Sequence, residues 1–200
     1  MQPLRNVCRS IREYLRLAEA GELARRYFVT NAFDSTLTAL GLIIGSLIVG
    51  VSECRVVLST GLSAGLAMGL SGFVGTLITE RAERMRKLRE LERNMLVNLE
   101  HSVLMRAHEV AAAVIALASG VAAPIMMGLT LLPFAVASLG LVSIGAAYIW
   151  SIAQSIAVLF ALGAMLGRIS EENWVLYGFL MAGLGIFIAL IGVALQRGAP

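Results

Sequence analysis

The chain has 200 residues, of which 58% are hydrophobic and 14% are charged. Soluble globular domains carry about 25% charged residues, and a mean hydropathy of +0.82 is too high for a surface that faces water. The composition therefore excludes a soluble domain and predicts a protein embedded in the lipid bilayer. The net charge of +3 is concentrated beside apolar runs, a pattern of membrane topology rather than of nucleic-acid binding, and we expect no nucleic-acid partner.

The first segment, residues 1–26, has the pattern of a basic amphipathic helix. Leu4, Val7, Ile11 and Leu15 recur at helical spacing among six arginines. A basic amphipathic helix beside a membrane span usually lies on the membrane surface. We predict a cytoplasmic, interfacial helix over 1–26, with a partner-binding helix as the alternative.

Two apolar runs, 27–51 and 56–79, follow this segment. Each is long enough to cross the hydrocarbon core, which requires about 20 residues in a helix. The connection between them has only four residues, so residues 27–79 are predicted to form an antiparallel pair of transmembrane helices.

Small residues recur four apart in both of these runs. Gly41 and Gly45 form one such pair, and Gly61, Gly65 and Gly69 form a longer series. Glycines at this spacing allow two membrane helices to approach closely. They indicate either tight packing within one chain or a homodimer, without distinguishing the two.

Residues 80–109 interrupt the apolar pattern with a charged stretch. Its first part, 80–90, contains neither Gly nor Pro and is rich in strong helix formers. We predict a cytoplasmic helix or helical hairpin that continues the second span out of the membrane.

The rest of the chain, residues 110–200, carries further apolar runs that predict three more transmembrane helices: 110–132, 137–166 and 174–195. Pro124 is expected to kink the first of these helices, and Pro133 is expected to end it. The predicted fold is thus all-α, with five transmembrane helices and a short cytoplasmic helical insertion between the second and the third.

The distribution of Lys and Arg predicts the orientation. Fourteen of these residues fall on one side of the membrane and two on the other, and basic residues are enriched in cytoplasmic loops. The N-terminus and residues 80–109 are therefore expected in the cytoplasm. The compact size and the lack of a targeting segment favour a prokaryotic plasma membrane.

Asp34 is the one acidic residue within the predicted spans, and no Lys or Arg lies within them. A charged side chain at the bilayer centre costs roughly 2.5–3.5 kcal/mol even on lenient scales, so such residues normally face a cavity, an ion or a proton. We predict that Asp34 binds a cation in the bundle interior. The alternative is a side chain that reaches the cytoplasmic interface.

Two further residues complete the predicted intramembrane site. Asn31 shares one helix face with Ser35 and an overlapping face with Asp34 and Thr38. Its amide oxygen is a suitable ligand for a divalent cation. Met68, in the second span, offers a thioether to a transition metal. Helix–helix hydrogen bonding for Asn31 and core packing for Met68 are the alternatives.

The charged stretch contains a second group of candidate metal ligands. Glu80, Glu83 and His108 could collect metal ions at the membrane entrance. The alternative is a solvated helix face on which Arg84, Lys87 and Arg93 pair with the glutamates.

Three stretches resemble the vacuolar iron transporter family of divalent-metal/proton antiporters: TNAFDSTL at 30–37, MGLSGF at 68–73 and LGRIS at 166–170. The chain looks like a distant branch of this family. The resemblance implies a homodimer with its pore at the subunit interface. It implies that Asp34 and Met68 line the metal pathway, and that glutamates beginning at Glu80 and Glu83 gather metal.

The function expected from these observations is export of Fe²⁺ or Mn²⁺ from the cytoplasm by proton antiport. The metal would be the transported ion, and no permanently bound cofactor is expected. A non-transporting membrane scaffold or assembly protein is the alternative. No nucleophile elbow, phosphate loop or HExxH motif is present, so we do not expect an enzyme.

Overall fold

A computed structural model describes residues 20–95 and 103–198 of the chain, and every ordered element in these ranges is an α-helix. The helices are α1 (Ala20–Val49), α2 (Cys54–Met95), α3 (Val103–Ser138), α4 (Ile144–Ile169) and α5 (Trp174–Gly198). In this part of the chain all five are long and apolar enough to cross a membrane, by length and composition. The all-helical class and the five apolar helices are those predicted from the sequence.

Large apolar side chains point outward from these helices. Phe179 and Leu190 in α5 are 65% and 62% exposed, and Leu66 in α2 is 65% exposed. Soluble monomers rarely expose extended apolar surfaces of this kind, because contact with water is unfavourable. The exposed apolar faces indicate an integral membrane protein whose helices contact lipid.

Glycines with a left-handed backbone stand in two of the turns between the helices. Gly50 has φ 77° just after α1, and the amide of Val51 bonds the carbonyl of Ser46 at 3.0 Å, the pattern of a Schellman cap. The turn before α4 uses Gly140 at φ 78°, and Ser143 caps α4 by accepting a bond from the Ala146 amide. These caps fix where α1 ends and where α4 begins.

α1 begins at Ala20 and runs through the boundary predicted after residue 26, so one continuous helix joins the two predicted segments. The pattern of apolar residues changes at this point, but no helix-breaking residue stands there. The first 19 residues of the predicted amphipathic helix lie outside the described part of the chain.

The break predicted at Pro133 is wrong, because α3 continues through Pro124 and Pro133 to Ser138. A proline inside a helix leaves the carbonyl four residues earlier without its usual donor. Here the side chain of Gln154 in α4 donates to that carbonyl, on Leu129, at 2.9 Å. The predicted start of the fourth span at residue 137 therefore shifts to Ile144.

The chain divides into two compact units, the first of which comprises Met1–Phe28 and Gly69–Val121. In its described part, Ala20 at the start of α1 packs with Ala111 and Ile115 of α3 in a small apolar cluster. The hydroxyls of Thr76 in α2 and Ser119 in α3 lie 2.8 Å apart and are buried. The continuation of α2 to Met95 belongs to this unit.

The second unit comprises Val29–Met68 and Ala122–Pro200. Its core joins residues from α1 to α4 and contains an edge-to-face pair, Phe134 and Tyr148, with ring centroids 4.8 Å apart. Glycine allows α4 and α5 to approach, because a Cβ on Gly163 would lie within 3 Å of the α5 backbone at Gly178. This unit contains Asp34 and Met68.

Candidate functional site

Asp34 lies on an exposed face of α1, while the two residues that follow it are buried. Ser35 and Thr36 are both 0% exposed. Ser35 donates to the carbonyl of Ala123 in α3 at 2.8 Å, and Thr36 donates to Ala32 within α1 at 2.7 Å. The buried hydroxyls therefore serve helix packing, and the carboxylate points away from the core of its own unit.

The exposed face around Asp34 has a regular composition. Asn31, Asp34, Thr38, Gly41 and Gly45 follow one another at alternating spacings of three and four residues, and each is exposed or half-buried. This is the spacing of a seam along which two helices pack. We call these five residues the Asp34 seam.

Polar and small side chains make up the whole Asp34 seam, although it crosses an otherwise apolar helix. The Thr38 hydroxyl donates to the backbone carbonyl of Asp34 at 2.8 Å. Among the described residues, no side chain forms a hydrogen bond or an ion pair with the Asp34 carboxylate. Its predicted position in the bundle interior is therefore not the one observed within a single chain.

The two glycine series have different surroundings. A Cβ on Gly61 or Gly65 would lie within 3 Å of Leu131 or Met127 of α3, so these glycines permit contact inside the chain. A Cβ on Gly41 or Gly45 would meet nothing within 4 Å. Gly61 and Gly65 therefore serve intrachain packing, and the α1 pair lies open along the Asp34 seam.

Met68 is half-buried and packs against the apolar cluster that contains Val57 and Met127. This is the environment of a packing methionine. Within residues 20–95 and 103–198, no three His, Cys, Asp or Glu side chains are grouped so that they could hold a metal ion. Within one chain, Asp34 thus lies on an exposed helix face, whereas Met68 lies against an apolar cluster.

Two of the predicted metal ligands, Glu80 and His108, lie on either side of one guanidinium. Arg84 Nε donates to Glu80 Oε2 at 3.2 Å, and Arg84 Nη1 lies 3.2 Å from His108 Nδ1. Arginine has no acceptor, so His108 Nδ1 must accept and His108 is neutral in this arrangement. The side chain of Tyr27 in α1 lies within interaction range of the Glu80 carboxylate.

This network joins three helices and is largely shielded from solvent. The side chains of Arg84 and Glu80 are only 8% and 11% exposed. Buried charges are retained in proteins when they are paired and hydrogen-bonded. A metal ion could bind both Glu80 and His108 only after displacing Arg84 from between them.

Glu83 differs from Glu80 because it is accessible. It pairs with Lys87 at 3.6 Å, and the two side chains are 54% and 68% exposed. The predicted pairing of Arg84 and Lys87 with glutamates is thus confirmed. The pairing predicted for Arg93 is not observed among the described residues. The involvement of His108 and Tyr27 was not predicted, since it depends on how α1 and α3 pack against α2 rather than on spacing within one helix.

The comparisons with known proteins assign no activity to this arrangement. No protein-family model matches the chain, and no solved structure matches it. The chain is similar to an uncharacterized protein of Methanocaldococcus jannaschii, with 29% identity over 180 residues. The aligned region covers 88% of this chain and 91% of that relative, so the likeness extends over nearly the full length of both.

Proposed function

We propose that the protein transports divalent transition metals, moving Fe²⁺ or Mn²⁺ out of the cytoplasm in exchange for protons. The observation that supports this function best is the Asp34 carboxylate. It lies in an apolar helix, on an exposed face, with no side-chain partner among the described residues. An intramembrane carboxylate of this kind is costly unless it serves an ion or a proton.

The Asp34 seam supports a homodimer as the transporting unit. Direct contact of the carboxylate with lipid would cost roughly 2.5–3.5 kcal/mol. A second copy packed along the same seam would remove this cost, and the open space at Gly41 and Gly45 permits the close approach that such packing needs. The carboxylates of the two copies would then share one polar pathway.

The exchange of metal for protons follows from the chemistry of paired carboxylates. Two carboxylates in a low dielectric repel each other, so they take up either protons or a cation. Asn31, in the same seam, would add an amide oxygen ligand. Binding of a metal ion would release protons, and protonation from the other side would release the metal.

The remaining predicted residues have supporting roles in this proposal. Met68 would provide a soft contact that favours Fe²⁺ or Mn²⁺ over Mg²⁺ and Ca²⁺. Glu83 would collect metal ions at the cytoplasmic entrance, and Glu80 and His108 would join it when Arg84 is displaced. The resemblance of segments 30–37 and 68–73 to the vacuolar iron transporter family supports these assignments.

The proposed orientation has the N-terminus and the end of α2 in the cytoplasm of a prokaryotic cell, with the helices in its plasma membrane. It is supported by the excess of Lys and Arg beside these segments.

A membrane scaffold or assembly protein is the second candidate. It is favoured by the lack of any three-residue group of metal-binding side chains in the described ranges. It is also favoured by the use of Ser35 and Thr36 in helix bonds. In this alternative the Asp34 seam would hold a partner helix and would conduct no ion.

Uptake of Fe²⁺ and Mn²⁺ into proteoliposomes under a pH gradient distinguishes the two candidates. We expect uptake that requires the gradient and is lost in Asp34→Asn. Glu53→Gln is the matched control, since Glu53 is an exposed carboxylate in the turn before α2, and this variant should transport normally. Absence of uptake by folded, correctly inserted protein would refute the transporter and favour the scaffold.

A further inference from the structure

The part of α2 beyond its apolar stretch carries six basic residues, and these fall into two sets of three. One set is paired with carboxylates: Arg81 with Glu109, Arg84 with Glu80, and Lys87 with Glu83. The other set consists of Arg86, Arg89 and Arg93.

The second set is unpaired in the part of the chain that the structure describes. Arg86, Arg89 and Arg93 form no hydrogen bond or ion pair there, although Arg93 was expected to pair with a glutamate. All three are exposed. Three neighbouring guanidinium groups repel one another, so their convergence on one face with a single carboxylate, Glu90, beside them points to an anionic ligand.

The three arginines line one groove with a volume of about 730 Å³. Their spacing of three and then four residues places them on a single helix face, over roughly 10 Å along the axis at 1.5 Å per residue. Met85 and Ala82 supply an apolar wall at the end nearer the apolar stretch of α2.

The chemistry of the groove selects phosphate. A guanidinium presents two parallel N–H donors that match the oxygens of a phosphate, which makes arginine the preferred residue for such groups. Asn94 adds a neutral polar group at the far end. Glu90 also lines the groove, and the three guanidinium groups leave these four charged side chains with a net positive charge.

We propose that this groove binds a phosphate-bearing anion, either the headgroup of an anionic lipid or a soluble phosphate compound. Both sources can reach it. Ala82 lies three residues after Thr79, where the apolar stretch ends, so the nearer end of the groove is about 5 Å beyond the hydrocarbon, at headgroup depth. Arg93 lies about 21 Å beyond it, within reach of a solute. The proposal does not depend on metal transport.

Two triple variants test the groove at equal change of charge. The first is Arg86→Gln, Arg89→Gln and Arg93→Gln. The second is the control, Arg81→Gln, Lys87→Gln and Arg106→Gln, at exposed positions that do not line the groove. Circular dichroism and thermal unfolding establish that both are folded. If the first variant fails to fold, the single variant Arg89→Gln replaces it, with Arg81→Gln as its control.

Two binding measurements distinguish the sources of phosphate. One is calorimetric titration of pyrophosphate into the protein in neutral detergent. The other is native mass spectrometry of phosphatidylglycerol and phosphatidylcholine retained by the protein. An arginine near an anionic surface contributes about fivefold in affinity. The groove variant should therefore lose affinity on the order of a hundredfold for whichever of the two probes the wild type binds. The single variant should lose about fivefold.

Each result bears on the proposal. Selective retention of phosphatidylglycerol that the groove variant loses and the control keeps would establish a lipid headgroup site. The same pattern with pyrophosphate would establish a site for soluble phosphate compounds. Equal losses in the groove variant and the control, or no binding of either probe by the wild type, would overturn the proposal.

Discussion

Replacement of Arg84 by Met should destabilise the protein far more than replacement of Lys87, although both residues pair with a glutamate four positions earlier on the same helix. Arg84 and its partner Glu80 are only 8% and 11% exposed, whereas Lys87 and Glu83 are 68% and 54% exposed. Arg84→Met would leave the Glu80 carboxylate and His108 Nδ1 without this donor in a shielded position.

The expected losses of unfolding free energy for the two variants differ by about tenfold. Breaking a buried ion pair by removing one partner costs about 3–5 kcal/mol, whereas an exposed pair four residues apart on a helix contributes about 0.3–0.5 kcal/mol. For a protein of this size, 1 kcal/mol corresponds to a change in Tm of about 2–4 °C. Arg84→Met should therefore lower Tm by about 6–20 °C, and Lys87→Met by no more than about 2 °C.

Thermal unfolding in one detergent, followed by circular dichroism, measures both effects. The double variant Glu80→Leu with Arg84→Met should recover most of the lost stability, because replacing a whole buried pair by apolar residues is often neutral. If Arg84→Met and Lys87→Met lower Tm by the same few degrees, the pairing of Arg84 with Glu80 and His108 contributes no more than a surface ion pair, and the reasoning is refuted.

Two further predictions concern helix packing. Gly65→Ala should lower Tm, because the added Cβ would lie 2.7 Å from the Met127 Cβ and overpacking costs about 1–3 kcal/mol. Gly41→Ala, where the added Cβ meets nothing, should not lower the Tm of the monomer, because alanine favours a helix more than glycine does. The same variant should weaken the proposed dimer in size-exclusion chromatography with light scattering; equal Tm losses in both variants would contradict this. Gln154→Leu should cost about 1–3 kcal/mol by leaving the Leu129 carbonyl without its donor, and an unchanged Tm would show that another donor reaches this carbonyl.

The existence of the five helices follows from the sequence, because a run of about 20 apolar residues forms few structures other than a membrane-spanning helix. The ends of these helices are predicted less well from the sequence. The apolar pattern gives no sign that α3 passes through Pro133, since this depends on Gln154 in the next helix satisfying the carbonyl of Leu129. The true end of α3 is marked instead by Gly140 in a left-handed conformation.

The candidate sites show the same division between local and tertiary information. The pair of Glu80 and Arg84 follows from a spacing of four residues, but the addition of His108 to it depends on the packing of α2 against α3 within their unit. The sequence also places Asn31 on two overlapping stripes, one with Ser35 and one with Asp34. Only the structure distinguishes the buried stripe from the exposed one.

Because α2 is unbroken, the groove lined by Arg86, Arg89 and Arg93 is linked rigidly to the apolar stretch of the same helix. Between Thr79 and Met95 the helix contains no Gly and no Pro, so this segment behaves as a stiff lever about 24 Å long. A rotation of about 10° around Thr79 would move Met95 by about 4 Å. A ligand that pulls on the groove would thus apply torque near Thr79, where the apolar stretch of α2 ends. Glu80 and Arg84, which contact neighbouring helices, lie at this same point.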